Sequence, residues 1–288
     1  MSYKKIRFGW GDIIVFLLLF GAFYYIYHRV SDELNYSFNW GLLVEYVVKW
    51  KGDKIFLGVI TQGFFYTVKL SFWGILLGFL FGFFIGIFRT FKRPFVRLFS
   101  LAYVECFRNI PPIVLIFIFY FFVSEQLINL FQKTNFLIFF ENDLTSLIFA
   151  PRNLFSSMLA GVLTLSLYEG AYIAEIFKAG IESVSIAQKE AGLALGLSKF
   201  QVLRYVVLPQ TTKIVIPPLS GQFISTVKDS AIVSVVAVPE LTFQGMEVMS
   251  STYLTYEVWI TITLIYLLMT LGFSLFMKLL EKSLGRNY

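Results

Sequence analysis

One histidine, His28, and one cysteine, Cys106, are all that this chain offers of the two side chains most used in nucleophilic and metal chemistry. A single His leaves no His pair for a metal and no Ser-His-Asp hydrolase. A single thiol closes no internal disulfide and builds no multi-thiolate zinc site. What stands out instead is a set of charges inside long apolar runs: Glu105, Arg108, Glu169, Lys228 and Asp229. In hydrocarbon each costs roughly 2.5–3.5 kcal/mol on insertion scales, so each needs a partner or a function. Glu105 and Arg108 are three apart on one helix face and can pair with each other as a structural ion pair. Asn109-Ile110-Pro111-Pro112 follows and breaks the helix, freeing carbonyls that only a protein-lined or watery region tolerates. Lys228 and Asp229 are adjacent and point about 100° apart, so at least one of them meets another helix. Glu169 has no cation nearby in sequence.

The elements that position these charges follow from composition. Of 288 residues 57% are hydrophobic and 15% charged, with 34 Phe and 16 Tyr. Soluble domains carry about 25% charged residues, too many for this chain to resemble one. The implied fold is all-α, polytopic and membrane-embedded. Six spans are expected: 12–28, 60–88, 100–123, 154–176, 213–238 and 256–279. The first follows Lys4, Lys5 and Arg7 but ends in the aromatic run Phe23 to Tyr27 with no small-x-small cleavage site. It therefore reads as a retained helix, not a signal peptide. Trp40 to Trp50 is amphipathic and suited to an interface. The long connection 124–153 contains an apolar run, Phe136 to Phe140, too short to span and expected to form a partly embedded turn.

Charge fixes the expected orientation. With six spans and the N-terminus inside, fifteen of the 24 Lys and Arg fall on the cytoplasmic side and six outside. The positive-inside rule then places both termini in the cytoplasm, and it explains the +6 net charge without a nucleic-acid partner. Glycine recurs at Gly74, Gly78, Gly82 and Gly86, a smooth stripe on one helix face. Packing within the chain is the simpler use of that stripe, with a dimer seam as the alternative.

The segment 187–209 carries the most information. Lys189 to Leu195 are good helix formers, Gly196 supplies a left-handed or closely packed position, and Ser198 can cap a second helix reaching Leu208. Pro209 is expected to interrupt that helix before the next span. A structured helix pair is more than a connector needs and suits a docking surface.

Glu190-Ala191-Gly192, Gly196, and Val206-x-Leu208-Pro209 match the spacing of the EAA loop and resemble the membrane subunits of bacterial ATP-binding-cassette importers. Gly192 stands for the second Ala of that pattern and Val206 for its Ile, both conservative in size. Tyr172 to Val184, Tyr103 to Pro112, Tyr66 to Ser71 and Val227 to Ser234 are similar to the polar amino acid permease branch. The similarity covers about 58–280.

The resemblance implies a type I importer transmembrane domain over 58–288, with a five-helix core. The region 1–57 then adds a cytoplasmic tail, an extra span and an external amphipathic segment. It implies an ATPase-coupling helix at 187–209 with Glu190, Ala191, Gly192, Gly196, Leu208 and Pro209. The implied partners are two cytoplasmic ATPases, a second permease (identical or paralogous) and an extracytoplasmic amino acid binding protein, in the bacterial inner membrane. No Gly-x4-Gly-Lys-[Ser/Thr] phosphate loop occurs, so ATP and Mg belong to the partner ATPase and this chain needs no cofactor and no metal of its own. A polar amino acid brings both signs of charge. Glu169 and Asp229 are therefore expected to face its cationic end, and Asn109 and Ser230 its anionic end. A stand-alone secondary transporter or channel for small polar solutes would also use six spans. It predicts duplicated halves, however, and neither the EAA pattern nor Glu-x2-Arg-Asn recurs.

Overall fold

The computed structural model describes residues 9–33, 36–51, 54–133 and 143–285. The chain runs through α1 (Trp10–Glu33) and α2 (Trp40–Val47) into a small hairpin, β1 (Val48–Lys51) and β2 (Lys54–Leu57). The hairpin is antiparallel, with Val48 opposite Leu57 and Lys51 opposite Lys54. There follow α3 (Val59–Arg89), α4 (Pro94–Asn109), α5 (Pro112–Ile118), α6 (Glu125–Lys133), α7 (Asp143–Ile148) and α8 (Phe155–Ser183). The last elements are α9 (Ile186–Ala194), α10 (Lys199–Val202), α11 (Leu208–Asp229), α12 (Leu241–Thr252) and α13 (Thr255–Gly285).

Among the described residues four helical stretches are long and apolar enough to cross a membrane: Val59–Arg89, Pro112–Phe131, Arg152–Ser183 and Thr255–Ser283. Lys199–Val236 and Leu241–Thr252, bent by 51°, make a fifth if taken as one broken span. The first expected span, 12–28, falls on α1, whose apolar stretch, Trp10–Ala22, is shorter than these. Every α1 side chain that is described is exposed. The apolar run at 136–140, the tail 1–8 and Arg286 lie outside the described residues.

Two boundaries differ from expectation, both at prolines. The span expected at 100–123 is displaced to Pro112–Phe131. Pro111 caps α5 in an extended conformation and Pro112 opens it, so α4 ends at Asn109 and packs separately against α3 and α8. Pro209 does not interrupt its helix. It sits at the N-terminal end of α11, where a missing N–H costs nothing, and the widened turns of Leu203–Val207 carry α10 directly into α11.

α8 is the centre of the bundle, packing on α3, α4, α5 and α11. The glycine stripe explains how α3 gets so close to it. A Cβ on Gly82 would lie 2.5 Å from Ile173 Cβ and one on Gly86 2.6 Å from Phe177 Cβ. Both partners are on α8, so the stripe serves packing within the chain.

The N-terminal segment is tied down at one point. Glu257, fully buried in the first turn of α13, accepts hydrogen bonds from the Tyr36 hydroxyl and, at 2.6 Å, the Asn39 N–H. Asn39 in turn caps α2, and the amphipathic helix buries Leu43 against Ile60, Leu241 and Val258. Burial, and then the neighbouring carboxylate, push the Tyr36 phenol up to about 12.

Candidate coupling surface and translocation site

The helix pair expected at 187–209 is present, and its turn has a complete set of caps. Ser185 caps α9 through the Gln188 N–H. At the other end the Leu197 N–H reaches the Gly192 carbonyl at 3.2 Å and the Gly196 N–H reaches Leu193 at 3.0 Å. That is a Schellman closure, and Gly196 takes the left-handed φ of 83° it requires. Ser198 and Gln201 then form a reciprocal capping box at the start of α10. A Cβ on Gly192 would meet side-chain methyls alone, Val202 Cγ2 at 3.1 Å and Val206 Cγ2 at 3.5 Å, and one on Gly196 would meet nothing within 4 Å. Gly192 is therefore close to what an alanine would fit, whereas Gly196 is fixed by backbone conformation.

The pair is fastened to the bundle from beneath. Val202 and Val207 join Ile181 and Val184 in a buried cluster, and the Lys189 ammonium donates to the Ile181 carbonyl at 3.0 Å. Outward it shows Glu190, Ala191 and Pro209, with Leu208 half-buried. Beside them Ile186, Leu195 and Phe200 are 71%, 84% and 69% exposed. A rigid turn carrying three large apolar side chains away from its own core is built to be covered.

Inside the bundle the charges sort themselves differently from the sequence expectation. Glu105 and Arg108 do not pair. Arg108 lies over the Tyr172 ring, 5.1 Å from its centroid, and reaches Glu175 at 3.4 Å. Glu175 also holds the buried Arg89 of α3. Glu105 takes the Asn109 amide at 3.0 Å. A carboxylate already oriented by one guanidinium, with an aromatic face at hand for the second guanidinium to lie on, is the better partner for Arg108 than an exposed neighbour on its own helix.

Glu169 is fully buried on α8. Its Oε2 accepts from Gln222 of α11, while Oε1 is buried with no hydrogen-bond partner. Asp229 is close enough to interact with it electrostatically. Two carboxyls in one low-dielectric region repel when both are ionised, and a cation between them relieves that. Tyr168, whose hydroxyl is 3.2 Å from that of Tyr172, borders the same region. Asp229 and Ser230 sit where α11 tightens into seven residues of 3₁₀ helix, Ser230–Val236, closed by a left-handed Ala237. So long a 3₁₀ run is uncommon, since its hydrogen-bond geometry is poorer than that of an α-helix. Ser230 spends its hydroxyl proton on the Val227 carbonyl at 2.8 Å, and Asn109 gives its amide to Glu105. Neither donor is turned toward Glu169.

Gln222, Tyr168 and the Arg89–Glu175 pair escaped the sequence reading. Tyr168, Tyr172 and Glu175 recur at helical spacing along an apolar span, a polar face the sequence does display. Nothing local announces Gln222.

The long apolar helices, with a buried acid among them, define a membrane-embedded helical component. The chain belongs to the family of binding-protein-dependent transport system inner membrane components, whose model matches residues 74–286. It is 34% identical over 227 residues to the probable glutamine ABC transporter permease protein GlnM of Bacillus subtilis, covering 79% of this chain and 94% of that one. It is 31% identical to the glutamate/aspartate import permease protein GltJ of Escherichia coli, covering 86% of this chain and 96% of the relative. A solved amino acid ABC transporter with histidines superposes with a TM-score of 0.66 at 31% identity, over 86% of this chain and all of that one. An inward-facing MetNI methionine transporter shares the fold, with a TM-score of 0.62 at 18% identity over 78% of this chain and 96% of that one.

Proposed function

We propose that this chain is the permease subunit of an ATP-driven importer of polar amino acids in the bacterial inner membrane, with both termini cytoplasmic. Two cytoplasmic ATPases, using ATP and Mg, dock on α9 and α10. A second permease, identical or paralogous, completes the pathway, and an extracytoplasmic binding protein delivers the substrate. The observation that carries this reading is the Schellman-closed, box-capped turn at Gly196, which holds Ile186, Leu195 and Phe200 out from the bundle. A rigid lever transmits closure of a bound partner to α8 and α11, the helices that bear Glu169, Gln222 and Asp229. Glu190, Ala191 and Pro209 contribute the rest of the docking face. In the interior, Glu169 and Asp229 receive the substrate ammonium.

Transport by reconstituted proteoliposomes tests this. With ATPase and binding protein present, ATP should drive accumulation of labelled glutamine, glutamate, histidine or arginine. Accumulation without ATP, or without the ATPase subunits, would overturn the reading in favour of a stand-alone transporter.

A further inference from the structure

The described α1 is a helix with no buried face, while the bundle has an apolar groove with nothing in it. The groove encloses about 840 Å³ between α3 and α13, lined by Phe64, Val68 and Phe72 on one wall and Ile265, Met269 and Phe273 on the other. Val227 of α11 also lines it, with two small residues, Ser71 and Gly272, and a Cβ added to Gly272 would meet no atom within 4 Å. Val47 and Thr61 close one end. That end adjoins the buried cluster through which α2 packs on α3 and α13, to which Val47, Ile265 and Met269 also belong.

We infer that in the bilayer α1 of the same chain gives up the exposed position it has here and packs into this groove, antiparallel to α3 and α13. The tether decides the occupant. α1 ends at Glu33, and Tyr36, three positions later, is held by Glu257 in the first turn of α13. Val59 and Thr255, the first residues of α3 and α13, mark this same end. A helix leaving the Tyr36 clamp backward along the groove must run opposite to both. Its side chains from Ile13 to Phe20 are all large and apolar, and all are exposed: Phe16 69%, Leu18 68%, Leu19 66%. In lipid no hydrophobic driving force pulls helices together, so close packing over small residues such as Ser71 and Gly272 is what seats one. A second copy of the chain carries no such tether to this groove.

The register follows from the rise of about 1.5 Å per residue. Gly272 lies about 15 residues beyond Glu257, roughly 22 Å down α13, and the same distance back from Glu33 reaches Leu18. The test uses the full transporter in its membrane, in a Cys106→Ser background. Gly272→Cys is combined in turn with Phe16→Cys, Leu17→Cys, Leu18→Cys and Leu19→Cys. After mild oxidation, thiol labelling should be lost at monomer mass, several-fold more for one or two of the four than for the rest. A species of doubled mass on non-reducing gels would instead assign the groove to a second copy. Free labelling at all four positions would assign it to lipid. Either result overturns the inference. Should Gly272→Cys fail to accumulate, Ser71→Cys on the opposite wall lies about five residues nearer the clamp; combined in turn with Gly21→Cys, Ala22→Cys, Tyr24→Cys and Tyr25→Cys it gives the same reading.

Discussion

Arg108 lies 3.4 Å from the Glu175 carboxylate of the helix it crosses, not against Glu105, three residues before it on its own helix. With Arg89 on the same carboxylate, Glu175 joins the ends of α3 and α4 to α8. Removing a buried ion's partner costs about 3–5 kcal/mol, because the charge left behind has lost its solvent and its counter-charge. Arg89 is only 8% exposed, so Glu175→Gln should lower the thermal unfolding midpoint of the detergent-solubilised complex markedly. Glu105→Gln should leave it almost unchanged, since the amide oxygen still accepts from Asn109. Equal losses from the two variants would restore the Glu105–Arg108 pair.

The α3–α8 contact predicts a graded response to alanine. Overpacking a close-packed site costs about 1–3 kcal/mol. Gly82→Ala would place its Cβ 2.8 Å from the Gly170 carbonyl as well as against Ile173, so the helices must part. At Gly74 the nearest atom is Leu165 Cβ at 3.1 Å, and a small adjustment suffices. Folded yield by fluorescence-detected size exclusion should therefore fall for Gly82→Ala and hold for Gly74→Ala.

At Gly196 the requirement is conformational. A left-handed φ costs a residue with a Cβ roughly 1–2 kcal/mol, and a β-branched one more. Gly196→Val should leave insertion intact yet uncouple ATP hydrolysis from uptake, because the Schellman closure that fixes α9 against α10 is lost. Gly196→Asn, which tolerates that region, should retain most transport. Normal uptake by the valine variant would dissociate this turn from coupling.

These contrasts show what was legible in the sequence. The caps at Ser198 and Gly196, the break at Pro111-Pro112 and the glycine stripe are written within a few residues, where backbone sterics and hydrogen-bond bookkeeping decide the outcome. Partners far apart in the chain are not: Arg89 and Glu175 are 86 positions apart, Tyr36 and Glu257 are 221. Local spacing offered Arg108 the wrong glutamate for the same reason. A neighbour on its own helix is visible in sequence, whereas an aromatic face and a pre-oriented carboxylate on a crossing helix are not.

The Tyr36–Glu257 clamp carries a pH signature. Because the folded phenol titrates near 12 against an ordinary 10.0, its contribution is complete below the ordinary value and is lost as pH rises through about 12. Wild-type stability should decline over that interval more steeply than that of Tyr36→Phe, measured by thermal unfolding at fixed ionic strength. Parallel profiles would show that the phenol proton contributes nothing.

The proposed place of Glu169 and Asp229 on the substrate path can be tested through their charge. Glu169 Oε1 is buried with no hydrogen-bond partner, an arrangement that costs about 1–3 kcal/mol or more unless something else fills the need. On the proposal, an amino acid ammonium beside Asp229 would supply that partner and balance both carboxyls, whereas a brace would need neither. Glu169→Gln and Asp229→Asn keep the volume and remove the charge. If the carboxyls receive substrate, uptake should fall about tenfold or more, the equivalent of one lost charged contact of about 1.4 kcal/mol. Assembly with the ATPases and basal ATP hydrolysis should persist. A brace would behave in the opposite way: the complex itself would be lost, because Gln222 is hydrogen-bonded to Glu169 across the α8–α11 contact. Gln222→Leu separates the two further. It removes that cross-helix bond while leaving both carboxyls, so its effect on complex yield measures the structural share alone. Parent rates of uptake by both charge-neutral variants would exclude these two residues from the pathway.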